Sequence, residues 1–156
     1  MKSKILKMKN DIIYFMLALL TGALIPIQAA TNASFSKSIG NPFITGLMVF
    51  IVGLTIMFLI VVFARVSVPT AAQLAAAPKS GYLGGLIVAI YVTMITILAP
   101  RIGVASAIGL IVTGQILCSV IIDHFGLFNV LTRPIDLMRA GGIVFMCVGV
   151  YLVMKK

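Results

Sequence analysis

The 156-residue chain contains no glutamate and no tryptophan, one histidine and three aspartates, and only 10% of its residues are charged. Each shortage excludes something. A soluble domain of this length covers its surface with charged side chains, and twelve basic plus three acidic residues are too few for that. So few histidines and acids leave no metal cluster or catalytic triad to assemble. The composition therefore points away from an enzyme, and no cofactor is expected. Cys118 and Cys147 both fall inside apolar runs, where thiols behave as small apolar groups rather than as disulfide partners. What the chain has in quantity is hydrocarbon: 62% of its residues are hydrophobic and its mean hydropathy is +1.22.

That hydrocarbon is gathered into five stretches, at about residues 12–34, 43–64, 82–100, 102–122 and 140–154. A bilayer core about 30 Å thick needs roughly 20 helical residues to cross it. The first four stretches meet that length easily, and the fifth does so with little tilt. No stretch alternates with the period of two that a barrel strand would show, and lipid offers unpaired backbone groups no partner, so the spans read as helices. The expected fold class is all-α: a polytopic membrane protein forming a single five-helix domain over residues 1–156, with a basic tail at 1–10. The opening MKSKILKMKNDIIYFMLALLTGALIPIQAA has the basic start, apolar middle and small residues of a cleavable signal peptide. The uncut run is long for that role, and the segment is read as the first span.

A net charge of +9 suggests nucleic acid in a soluble protein, but here the basic residues lie in the tail and the connections. There they set orientation and meet lipid headgroups, and no nucleic-acid partner is expected. With five spans, Lys2, Lys4, Lys7, Lys9, Arg65, Lys79, Arg133 and Arg139 share one side, while Lys37, Arg101, Lys155 and Lys156 share the other. The richer side is the cytoplasmic one, which places the N-terminus inside. Without the four tail lysines the two sides are equal.

Other residues mark boundaries. Asp11 stands where the first helix is expected to start, Asn41-Pro42 opens the second, and Pro100 stops the third before Arg101 and a reversal at Gly103. The connection VSVPTAAQLAAAPKSG reads as a loop or a short interfacial helix. Pro134 and Asp136 signal the last helix, with Asp136 as its N-cap.

The stretch GALIPIQAATN, residues 22–32, carries the most unusual chemistry. Pro26 has no N–H and leaves the carbonyl of Gly22 without its helical donor. Such a break survives in a membrane where protein, side chain or water meets the freed group. Thr21, Gln28 and Asn32 share one helical face around it. That stripe reads either as a cavity wall offering amides to a substrate or as polar glue between helices. In the fourth span Ser106, Gly109 and Thr113 line one face and read as helix packing; Gln115, on the far side, suits a cavity or packing equally. Tyr91 lies mid-span, placed to meet a substrate or to fill the core. Gly142 and Gly149 read as a helix–helix seam that could lie between subunits. Asp123 and His124, at a membrane edge, form a weak candidate for proton coupling beside the plainer role of ending a helix. No span carries an acid at its middle.

GALIPIQAATN, KSIGNPF, APRIG, the TGQ at 113–115, the DHFG at 123–126 and the RAGG at 139–142 occur in an order and spacing that resemble one bacterial family. It is the half-size, five-helix YdcZ-like group of the drug/metabolite transporter superfamily, and the resemblance runs from about Leu17 to Val153. It implies a transporter fold in the inner membrane. Full-length members of that superfamily have two five-helix repeats of opposite orientation, so a half-size chain implies an antiparallel homodimer, or pairing with an inverted paralogue, around a shared midplane site. Small multidrug-resistance relatives use a glutamate in the first helix, where this chain offers Gln28 and Asn32. The resemblance thus implies a secondary transporter, an exporter of small metabolites or drug-like molecules with neutral binding groups. Two alternatives stay open: a non-transporting membrane scaffold, and a cation/proton antiporter of the multidrug type. A single cysteine added after Lys156, with Cys118 and Cys147 removed, reports topology. Outer-face labelling alone is expected if the tail lysines fix every copy, and labelling from both faces if copies insert in both orientations.

Overall fold

The computed structural model describes the backbone of residues 2–155 and the side chains of residues 11–155. The side chains of Lys2, Lys4, Lys7, Lys9 and Lys156, on which part of the charge count rests, lie outside the described residues. Six α-helices follow one another: α1 (Lys2–Ile39), α2 (Pro42–Phe63), α3 (Ala71–Ala76), α4 (Leu83–Ile102), α5 (Val104–Phe125) and α6 (Leu137–Met154). No strand occurs among the described residues. Five segments are long and apolar enough to cross a bilayer, at Asp11–Ile39, Pro42–Phe63, Lys79–Ile102, Val104–Phe125 and Leu137–Met154.

The helix ends follow from local chemistry. Asn41 caps α2, its side chain accepting from the N–H groups of Phe43 (2.9 Å) and Ile44 (3.2 Å), and Pro42 takes the first helical position, where a missing N–H costs nothing. Asp136 caps α6 by accepting from the Arg139 N–H at 2.7 Å. The connection left open between loop and helix contains α3, held by a reciprocal capping box between Thr70 and Gln73. Two boundaries differ from the sequence reading. Helix α1 starts at Lys2 and runs straight through Asp11, which therefore does not sit at its N-terminal dipole. Helix α4 continues past Pro100 to Ile102, because a proline removes one hydrogen bond without forbidding the turn that follows it. The reversal falls at Gly103, whose φ of +88° lies in the region that favours glycine.

The helices group into two compact units: residues 28–97, and residues 1–27 together with 98–156. Both divisions fall inside helices, in α1 just after Pro26 and in α4 just before Pro100. The first unit has a core of small and hydroxylated residues, with Ala29, Asn32, Ala33, Thr45, Val92, Ile95 and Thr96 all buried. Small side chains let its backbones approach: a Cβ added at Gly46 would stand 3.3 Å from Thr93 Oγ1.

In the other unit α5 and α6 pack together, and at Gly109 an added Cβ would lie 3.1 Å from a Val150 methyl. Helix α5 ends at Gly126 in the left-handed conformation, φ +60°. The Asp123 carbonyl accepts from the N–H groups of Gly126 (3.4 Å) and Arg133 (2.8 Å), tying the following loop back to the helix. Phe128 and Asn129 also hold positive φ, so the loop turns through three left-handed residues. A Cβ on Gly126 would come within 2.6 Å of Thr132 Oγ1. Gly126→Ala is therefore expected to destabilise the α5–α6 connection by about 1–3 kcal/mol, read as a lowered unfolding midpoint in detergent.

Candidate functional site

Hydroxyl groups in these helices are mostly consumed at home. Thr21 donates to the Leu17 carbonyl (2.8 Å), Thr45 to Asn41 (3.1 Å), Thr55 to Ile51 (2.8 Å), Thr96 to Val92 (2.7 Å) and Thr113 to Gly109 (2.8 Å). A threonine can share the carbonyl four residues back with the backbone ladder, and so enters an apolar span without an orphaned donor.

Asn32 is different. It is buried, at 6% exposure, and its Nδ2 has no hydrogen-bond partner. Leaving a buried donor unpaired costs about 1–3 kcal/mol. Asn32 also lines a groove of ≈ 460 Å³ between α1 and α2, whose other walls are Thr31 and Phe35 from α1 and Met48, Val49 and Val52 from α2. The two wall sets have the same spacing, i, i+1 and i+4, which puts each on one face of its helix. The walls are almost wholly apolar and carry no charge. A rotation about the Asn32 χ2 would offer the groove an amide donor. Chemically, the groove suits an uncharged or internally neutralised molecule with an apolar body and a hydrogen-bond acceptor.

The residues expected from sequence divide accordingly. Gln28 is half-buried one helical turn from Asn32 in the same unit, but the groove walls do not include it. Tyr91, also in that unit, is half-buried beside the core residue Val92 and does not line the groove either. Thr21, Pro26 and Gln115 belong to the other unit; Thr21 and Gln115 are exposed and Pro26 is half-buried. Gly109 and Thr113 lie along the α5–α6 seam, with Thr113 lining a groove alongside Leu110, Cys147 and Val150, and Ser106 is half-buried one turn before Gly109. At Gly142 and Gly149 a Cβ would meet nothing within 4 Å. Cys118 and Cys147 are free and exposed.

Asp123 and His124 are engaged in joining α5 to α6. His124 Nδ1 accepts from the Ile135 N–H at 3.1 Å, and its ring meets Phe125 edge-on. An Asp123 carboxylate oxygen stands 3.7 Å from an Arg139 guanidinium nitrogen, which also donates to the Arg133 carbonyl at 3.2 Å. Sequence reasoning missed Phe35, Met48, Val49 and Val52 as groove walls, since apolar residues in an apolar span carry no signal of their own. It also missed Arg139 as the partner of Asp123.

A family model matches residues 13–152, nearly the whole chain: DMT_YdcZ, described as "Putative inner membrane exporter, YdcZ". The chain belongs to that family, as the order of its motifs suggested. Among curated proteins and among solved structures, none is significantly similar to it.

Because the Asn32 donor is unpaired, its removal should not weaken the fold. Asn32→Leu is expected to hold or raise the unfolding midpoint in detergent, by up to about 1–3 kcal/mol of stability. A clear loss of stability would mean that the amide has a structural partner.

Proposed function

We infer that the protein is a secondary transporter of the inner membrane that exports small metabolites or drug-like molecules, and not an enzyme. The observation that carries this reading is the amide of Asn32, buried and unpaired beside an apolar groove of ≈ 460 Å³. A protein selected only for packing gains nothing from an orphaned donor, whereas a binding site gains a hydrogen bond each time it is filled. Membership of a family described as inner-membrane exporters supports the direction and the location.

The working unit in this reading is a dimer of inverted five-helix copies, a homodimer or a pair with an inverted paralogue, giving alternating access around a shared site. An odd number of spans supports it, because duplication of such a unit within one chain turns the second copy over, which yields the inverted repeats of full-length members of the superfamily. The N-terminus of the majority orientation is cytoplasmic, on the strength of the tail lysines. Gln28 and Asn32 supply binding without charge, with Thr21, Tyr91 and Gln115 as further candidates for the shared cavity.

The test is flux through proteoliposomes loaded with a panel of neutral and zwitterionic metabolites, with ethidium as the cationic control. At least one neutral or zwitterionic compound should be transported. Gln28→Leu/Asn32→Leu should cut that flux at least about tenfold, equivalent to roughly 1.4 kcal/mol, while folding is retained. Unchanged flux would remove the amides from the site. Absence of any flux, with assembly intact, would favour the scaffold. Ethidium transport driven by a pH gradient and lost in Asp123→Asn would favour the cation/proton antiporter instead.

A further inference from the structure

A further groove between α5 and α6, independent of Asn32 and distinct from the one that Thr113 lines, has a volume of ≈ 470 Å³. Its walls follow helical spacing. On α5, Ile116, Val120 and Asp123 stand at i, i+4 and i+7; on α6, Arg139, Gly142 and Met146 stand at i, i+3 and i+7, with Ile143 between them. Seven residues of helix cover about 10 Å. The groove therefore runs from a charged mouth, close to the end of α5 and the start of α6, for about 10 Å along apolar walls. Gly142 leaves its floor open, since nothing lies within 4 Å of where a Cβ would be.

The mouth carries both signs. Arg139 and Asp123 are 3.7 Å apart, and their side chains are 30% and 38% exposed. An ion pair this long and this exposed contributes little to stability and is readily opened. Beside this pair, the Arg133 carbonyl accepts from the Arg139 guanidinium, and the Asp136 carboxylate accepts from the Arg139 N–H. A purely anionic headgroup would meet Asp123, and a purely cationic one would meet Arg139. A headgroup with a phosphate and a free ammonium would satisfy both, the phosphate on the guanidinium and the ammonium on the carboxylate.

We propose that the α5–α6 groove binds a zwitterionic phospholipid bearing a primary amine, such as phosphatidylethanolamine, with its headgroup between Arg139 and Asp123 and an acyl chain along Ile116, Val120, Gly142 and Met146. The apolar length of the groove selects a membrane lipid over a free soluble zwitterion. The requirement that Asp123 accept N–H bonds selects a primary ammonium over a quaternary one, which has no hydrogen to donate.

Native mass spectrometry of the full-length protein in a neutral detergent, titrated with defined lipids, tests the proposal. Phosphatidylethanolamine should bind at least about fivefold more tightly than phosphatidylcholine or phosphatidylglycerol of the same acyl chains. Gly142→Leu, which fills the floor, and Arg139→Gln, which keeps the backbone N–H that Asp136 caps, should each weaken it about tenfold while helical content by circular dichroism is unchanged. Either of three results would overturn the proposal: equal binding of the three lipids, wild-type affinity in both variants, or binding of soluble phosphoethanolamine as tight as that of the lipid. Should one variant fail to fold, the comparison of the three lipids on the wild-type protein decides alone.

Discussion

Lipid offers no hydrogen bond, and nearly every feature of this protein answers to that constraint. Backbone groups pair within helices, and Thr21, Thr45, Thr55, Thr96 and Thr113 fold their hydroxyls onto the carbonyl four residues back. Charges retreat to the helix ends, where Asp136 caps α6 and Arg139 leans toward Asp123. Against that background the exceptions gain meaning. Pro26 and Pro100 each deprive a helical carbonyl of its donor, and Asn32 buries a donor with nothing to receive it.

The division of labour between the two grooves follows from the same constraint. The groove beside Asn32 is uncharged and flanked by Phe35 and Met48, so what it holds must carry its own neutrality. The groove between α5 and α6 ends in an arginine and an aspartate near the membrane edge, where water and headgroups share the cost of charge. The absence of an acid in mid-span keeps these chemistries apart.

Much of the fold could be read from the sequence because membrane spans are written in runs of composition rather than in subtle periodicity. The five spans, the Asn41 and Asp136 caps and the reversal at Gly103 all rest on strong local signals. Asp11 and Pro100 misled because each is a boundary signal that a long apolar helix can override: the cost of one missing bond or one displaced charge is small beside the gain of continuing the ladder. The candidate site was legible only in part. Asn32 stood out as an amide in hydrocarbon, but no sequence pattern reveals that its Nδ2 is buried and unpaired, or that Met48 and Val52 face it. Those facts depend on how one helix turns against another. Gly109 and Gly142 illustrate the same limit: both are small residues in apolar helices, yet one touches Val150 and the other faces an open groove.

The division of the chain also bears on biogenesis. Residues 28–97 are continuous, so every part of that unit has been synthesised before α5 is begun. The other unit joins the first residues of the chain to the last, and cannot be completed until α6 is made. The part of α1 before Gln28 therefore enters the membrane before the rest of its unit exists. During synthesis of some seventy intervening residues it must be held by lipid or by the insertion machinery, a wait that the apolar run from Ile12 to Ile27 is suited to endure.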